Sequence, residues 1–194
     1  MTSPAAIAPE LADWPALVDA MAGCTACALS QTRQRVVAGV YPAGARVLLV
    51  GEAPGRSEDE GGLPFIGRSG RLLDELLAEV GLDRGQIAVC NTVKCRPPDN
   101  RTPKRPELAT CRPWLDRQVD VIDPEVVVTL GGTALAWALG RGVRIGDVHG
   151  TVYERAGYVV VPTYHPSAAL RFGPAGAPAQ ALRADLRVIA ELLW

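Results

Sequence analysis

The sequence predicts an α/β fold built on a central four-stranded, mostly parallel sheet flanked by helices, and three observations predict it. Four short apolar, β-branched runs recur along the chain, at Arg46 to Val50, Gln86 to Cys90, Val126 to Leu130 and Tyr158 to Val161, each with the length and composition of a buried strand. Helical patterns lie between them, and strands that alternate with helices pair in parallel under cover on both faces. Three of the four runs also lead straight into glycine-, proline- or histidine-bearing sequence. In such a sheet ligands bind beyond the carboxyl ends of the strands, so these segments are expected to converge on one cleft.

Taken in order, residues 1 to 20 read as a partly helical extension. The first run ends in Gly51-Glu52-Ala53-Pro54-Gly55, a sharp turn that presents a carboxylate. Leu72, Leu73, Leu76, Leu77 and Val80 then share one helical face, with Gly81 placed to stop the helix. The second run leads into Asn91 to Pro98, and the third into a Gly131-Gly132 turn with a helix from near Thr133. After the fourth run comes His165-Pro166-Ser167. Phe172 to Pro178 reads as a loop, and a last helix from about Ala179 carries Leu182, Leu186, Ile189 and Leu193 on one face.

The 194 residues are 48% hydrophobic and 21% charged with a formal net charge of -1, which fits one domain with a real core. Its 20 glycines and 16 prolines are too few for a low-complexity or collagen-like polymer. The longest uncharged run, Val126 to Gly140, is too short and too broken by glycine to span a bilayer. The acidic N-terminal stretch with Glu10 and Asp13 is unlike a secretory signal, so the expected location is cytoplasmic. The near-zero charge hides a local excess: Lys94, Arg96, Arg101, Lys104, Arg105 and Arg112 face only Asp99 and Glu107, a basic stretch available to phosphates.

Clustered thiols in a reducing compartment hold metal more often than they form disulfides. Cys24 and Cys27 form a closely spaced pair, Cys95 and Cys111 follow far downstream, and four thiolates can close around a tetrahedral zinc or a [4Fe-4S] cluster. Cys90, ending a strand, reads as a small buried hydrophobe. His165 sits just past a strand, where Pro166 fixes the backbone, and is a candidate functional group; His149, in a turn, reads as structural. No glycine spacing matches a dinucleotide or P-loop motif, which argues against nucleotide hydrolysis. Phe65 lies in a glycine-bounded loop where core packing and ligand stacking both fit.

Four motifs, Gly-Glu-Ala-Pro-Gly, Pro-Phe-Ile-Gly, Asn-Thr-Val-Lys-Cys-Arg-Pro-Pro and His-Pro-Ser-Ala-Ala-Leu-Arg, occur here in the order in which they mark the family 4 uracil-DNA glycosylases, and the four cysteines agree. From Cys24 onward the chain resembles that iron-sulfur family. The resemblance implies a [4Fe-4S] cluster on Cys24, Cys27, Cys95 and Cys111, and hydrolytic excision of uracil from DNA, single-stranded or paired with guanine or adenine. It places Phe65 against the flipped base, Asn91 on its Watson-Crick edge and His165 near O2, with Glu52 the favoured carboxylate for catalysis or water positioning. Where the best-known branch of the superfamily has a water-orienting aspartate this chain has Ala53, and where that branch has a thymine-excluding tyrosine it has Gly55, leaving Glu58 as the candidate for excluding the methyl group. Ser167 to Arg171 resembles the loop that enters the minor groove, with Leu170 or Arg171 as the wedge. Arg101 and Arg105 are expected on phosphates, and the protein is expected to act on DNA as a monomer without a membrane partner.

Two other classes compete. A sister branch binds uracil DNA or traps the abasic sugar covalently through a histidine-containing loop, yet no histidine lies between Cys95 and Cys111. A zinc-stabilised nucleic-acid module would be colourless.

Overall fold

The computed structural model describes residues 3–193. Its sheet has five strands in the order β2-β1-β3-β5-β4: β1 (Val47–Gly51), β2 (Ile87–Asn91), β3 (Val126–Leu130), β4 (Tyr153–Glu154) and β5 (Val159–Thr163). The four expected strands are present and mutually parallel. The fifth, β4, pairs antiparallel to β5 at the edge, so the sheet is mixed and not simply four-stranded. Two residues are too short a run to show periodicity, which is why the sequence reading missed it.

Nine α-helices flank the sheet among the described residues: α1 (Pro4–Ile7), α2 (Trp14–Ala22), α3 (Arg56–Gly61), α4 (Arg68–Glu79), α5 (Arg105–Ile122), α6 (Gly132–Leu139), α7 (Ile145–Val148), α8 (Pro166–Phe172) and α9 (Ala177–Glu191). One face of the sheet carries Val47, Leu49, Val89 and Val128 against Leu73, Leu76 and Leu77 of α4 and Leu182, Leu186 and Ile189 of α9. The other carries Leu48, Val50, Ala88 and Val127 against Leu115, Val119 and Ile122 of α5 and Ala134 of α6. This alternation is the period of two that a strand buried on both faces requires. None of the described helices is long and apolar enough to cross a membrane.

Three expectations need correction. The basic stretch between Cys95 and Cys111, where the sequence predicts no helix, is helical in its second part, because α5 begins at Arg105 and runs for 18 residues. Pro106 sits in its first turn, where no N–H is missed; Pro113 lies inside and deprives the Ala109 carbonyl of a donor, but burial of Cys111, Trp114, Leu115, Gln118, Val119 and Ile122 on one stripe carries the helix through. Residues 166 to 172 form α8 instead of a loop, which shortens the predicted loop to the residues between Phe172 and Ala177. The N-terminal segment is helical as expected, yet Ala8, Leu17 and Met21 are fully buried in a third cluster with Trp114 and the cysteines, so it is part of the core. Trp194, where the last helix was expected to end, lies outside the described residues.

Candidate active site

The carboxyl ends of β1, β2, β3 and β5 open into one cleft of about 540 Å³, lined by Glu52 to Glu58, Phe65, Asn91, Arg101, Gly131, His165 and Ser167 among others. The convergence expected from the sequence is therefore present. Arg105, Leu170 and Arg171 do not line it.

Asn91 ends β2 directly opposite Gly51 in the parallel ladder. Its side chain is buried, and Oδ1 has no hydrogen-bond partner. An orphaned acceptor inside a protein costs roughly 1–3 kcal/mol unless a ligand satisfies it. Gly51 makes this arrangement possible: a Cβ there would stand 2.3 Å from Asn91 Oδ1 and 2.7 Å from Phe65 Cζ. Phe65 adopts a left-handed backbone, φ 55°, and is buried between the core beneath α4 and the cleft. Gly70 permits that turn, since a Cβ at 70 would lie 1.6 Å from the Phe65 carbonyl oxygen. Of the two open readings of Phe65, core packing and ligand stacking, the structure bears out the first and leaves the residue lining the cleft where a ligand would lie.

His165 caps α8: the Ser167 N–H donates to Nδ1 at 3.1 Å, and the Ser167 hydroxyl lies 2.8 Å from the same nitrogen. An Nδ1 that accepts from a backbone N–H carries no proton, so the neutral ring has its proton on Nε2. Burial pushes the imidazole down to about 4, against a small opposing pull from Glu58, and the ring is therefore neutral near pH 7. Its ring centroid is 5.7 Å from that of Phe65.

The two carboxylates differ. Glu52 is half-buried, lines the cleft and accepts a hydrogen bond from the Thr133 hydroxyl on Oε2. Glu58 has both oxygens engaged, with the Gly55 N–H donating to Oε2 at 3.1 Å and the Gly67 N–H to Oε1 at 2.8 Å. It pins the two loops that frame the cleft. Ala53 supplies no polar group, although its side chain lines the cleft wall.

The basic stretch divides. Lys94 is buried, 2% exposed, and its ammonium donates to the Asn91 carbonyl at 2.6 Å, so it is no phosphate ligand. Arg101 reaches the cleft and grips the buried carboxylate of Glu107 with two hydrogen bonds, 2.8 and 2.7 Å; the guanidinium holds that carboxyl below the usual range. Arg105 and Arg171 are exposed, as are Leu170 and Phe172. Phe172, 64% exposed at the end of α8, is a candidate DNA contact for which the sequence offers no local signal. His149 is structural as read, its Nδ1 beside the buried Asp185 carboxylate.

Cys24, Cys27, Cys95 and Cys111 line a second cavity with Arg33, Lys94 and Trp114. All are free thiols, while Cys90 is buried in β2 beneath α5. Burial pushes Cys95 up to about 11 and Cys111 up to about 12, opposed by the positive charges of Arg33 and Lys94 respectively. Several donors aim at these sulfurs. Arg33 Nη1 donates to Cys95 Sγ at 3.2 Å and Nη2 to the Cys24 carbonyl at 2.7 Å, and the backbone N–H groups of Leu29 and Lys94 favour the thiolates of Cys27 and Cys111. The buried Trp114 indole N–H has no protein acceptor. Among the described residues no three Cys, His, Asp or Glu side chains close on a single metal ion.

Residues 38–187 match the model of the uracil DNA glycosylase superfamily. A type-4 uracil-DNA glycosylase of Thermotoga maritima is 47% identical over 150 residues, covering 76% of this chain and 78% of that protein. One from Sulfurisphaera tokodaii is 41% identical over 76% of this chain and 71% of its own, and one from Saccharolobus solfataricus 38% identical over 91% and 85%. With the motifs, the sheet and the cleft already in agreement, the chain belongs to the type-4 uracil-DNA glycosylases of the uracil DNA glycosylase superfamily.

Proposed function

We propose that the family reaction, hydrolytic removal of uracil from DNA, runs in the cleft between Asn91, Phe65, His165 and Glu52. The observation that carries it is the orphaned, buried Asn91 Oδ1. A uracil flipped into the cleft offers N3–H to that oxygen and O4 to the side-chain amide, whereas cytosine presents the reversed pattern. A site built this way discriminates by roughly 10⁴ to 10⁵. Phe65 supplies a face for stacking, worth roughly 1–3 kcal/mol for any base, and leaves selectivity to Asn91.

As the glycosidic bond breaks, negative charge gathers on uracil O2 and positive charge on the sugar. The Nε2–H of His165 serves the first, acting as a neutral donor. Glu52 serves the second, its free oxygen orienting water or facing the sugar while Thr133 holds the other. Glu58, fully engaged by two loop N–H groups, excludes the thymine methyl only by fixing the shape of the cleft mouth. Arg101, Arg105, Ser167, Leu170 and Arg171 are assigned to the DNA strand around the flipped nucleotide.

The four thiols suit a [4Fe-4S] cluster. The donor groups directed at the sulfurs stabilise anionic ligands, as thiolates that hold a metal cluster require, and the four thiols line one cavity. When bound, the cluster supplies a fixed cross-link between the N-terminal segment, the loop after β2 and α5; no redox step is assigned to it.

The test is incubation with single-stranded, U:G, U:A and T:G oligonucleotides, followed by alkaline cleavage and denaturing electrophoresis. Alkali-dependent cleavage at uracil, and none at thymine, is expected. A persistent protein–DNA band would establish the trapping alternative instead.

A further inference from the structure

Lys94 is the largest polar side chain sealed in the core, and none of the steps above uses it. Its ends make two connections. The side chain reaches back to donate to the Asn91 carbonyl at 2.6 Å, and the backbone runs directly into Cys95, one of the four clustered thiols. Its own carbonyl accepts from the Val37 N–H at 2.8 Å, which fixes the residue between the two. Burying so costly a group for one hydrogen bond to a neutral carbonyl is a poor device for stability alone. From this geometry we infer that Lys94 is a positioning residue, joining the thiol site to the base-reading asparagine so that the state of one sets the placement of the other.

The route is short. Cys95 follows Lys94 directly and the Val37 N–H holds the Lys94 carbonyl, so drawing the four sulfurs onto a cluster fixes the Lys94 backbone through its neighbour. The side chain then clamps the peptide that carries Asn91, whose Oδ1 stands over Gly51 with almost no free space. An amine donates to that carbonyl as an ammonium does, so the link does not depend on protonation. The inference rests on the cluster assignment above for what loads the thiols; the Lys94 to Asn91 link itself does not.

The chain contains two asparagines, Asn91 and Asn100, and two lysines, Lys94 and Lys104, which makes selective labelling unambiguous. In anaerobically purified full-length protein labelled with ¹⁵N-lysine and ¹³C′-asparagine, one lysine Nζ signal should be protected from exchange and coupled to one asparagine carbonyl. Absence of such a signal in the unmodified protein would overturn the proposal. Lys94→Met, which keeps length and removes the donor, should retain its iron, shift the Asn91 signals but not those of Asn100, and bind single-stranded DNA with an uncleavable 2′-fluorinated deoxyuridine about tenfold more weakly. Its affinity for the same strand with thymine should not change. Lys94→Arg should recover part of the lost affinity. An iron-loaded Lys94→Met with unshifted Asn91 signals and full affinity refutes the link. Protein that contains zinc or no metal, yet shows the lysine–asparagine coupling, refutes the cluster assignment and the coupling of cluster state to reading while leaving the hydrogen bond itself established.

Discussion

Replacing His165 separates chemistry from structure, because the residue does two things through different nitrogens. The ring lines the cleft with Nε2 left free for a substrate, as proposed above, and Nδ1 caps α8 by accepting from Ser167. Uracil O2 acquires charge only as the bond breaks, so the donor acts on the transition state. In His165→Ala, single-turnover excision should fall by about 10²- to 10³-fold, or about 2.7–4 kcal/mol, while affinity for an uncleavable uracil analogue changes little. Loss of the cap adds roughly 1 kcal/mol of destabilisation, which in a chain of this length lowers Tm by roughly 2–4 °C. His165→Asn restores a good capping group but no donor at Nε2, so its Tm should return toward that of the unmodified protein with the rate still low. Burial holds the imidazole near 4 in the folded state against about 6.5 when exposed, so the unfolded chain binds more protons between those values. The resulting contribution to stability is fully present above about pH 6.5 and is lost as pH falls toward 4, a slope that should disappear in either variant. A near-normal single-turnover rate in His165→Ala would refute the assignment, and a rate inflection near pH 6.5 traced to this residue would refute the neutral donor.

Asn91→Asp should weaken uracil excision and shift preference toward cytosine, since a carboxyl changes which hydrogen bonds the reader offers; cleavage of matched uracil and cytosine oligonucleotides measures this, and unchanged uracil activity removes Asn91 from the site. The purified protein should be brown, and Cys95→Ser or Cys111→Ser should lose iron and solubility; stoichiometric zinc without iron by metal analysis contradicts the cluster. Arg105→Ala should lower the slope of log K against log salt by about 0.9 without altering base choice, if the exposed guanidinium meets one duplex phosphate. Arg101→Ala should differ from it by also lowering thermal stability, because it strands the buried Glu107 carboxylate.

What was legible in the sequence followed from local chemistry. β-branched runs specify buried strands, and the turns after them advertised themselves through Glu52, Asn91 and His165, residue types that have little reason to lie together beyond strand ends. The helix α5 was hidden because Pro113 and a charged first half imitate a loop, and only the buried stripe from Cys111 to Ile122 outweighs them. Lys94 was counted with the surface charges, for nothing in its type announces a buried ammonium; its apolar and small neighbours Thr92, Val93 and Cys95 were the available signal. Gly51 and Gly70 matter through contacts with Asn91 and Phe65 that exist only after folding, and no local pattern encodes them.

The pairing of Gly51 with Asn91 has a consequence for how this family can vary. Side chains alternate between the two faces of a strand, so a slip of one residue between β1 and β2 would bring Cys90 opposite Gly51 and move Asn91 off its seat. Amino-acid composition and core volume would scarcely change. A one-residue deletion inside either strand would therefore displace the base reader together with the core, and length variation in descendants of this sequence should be confined to the loops, with β1 and β2 kept in step as a single reading frame for the base.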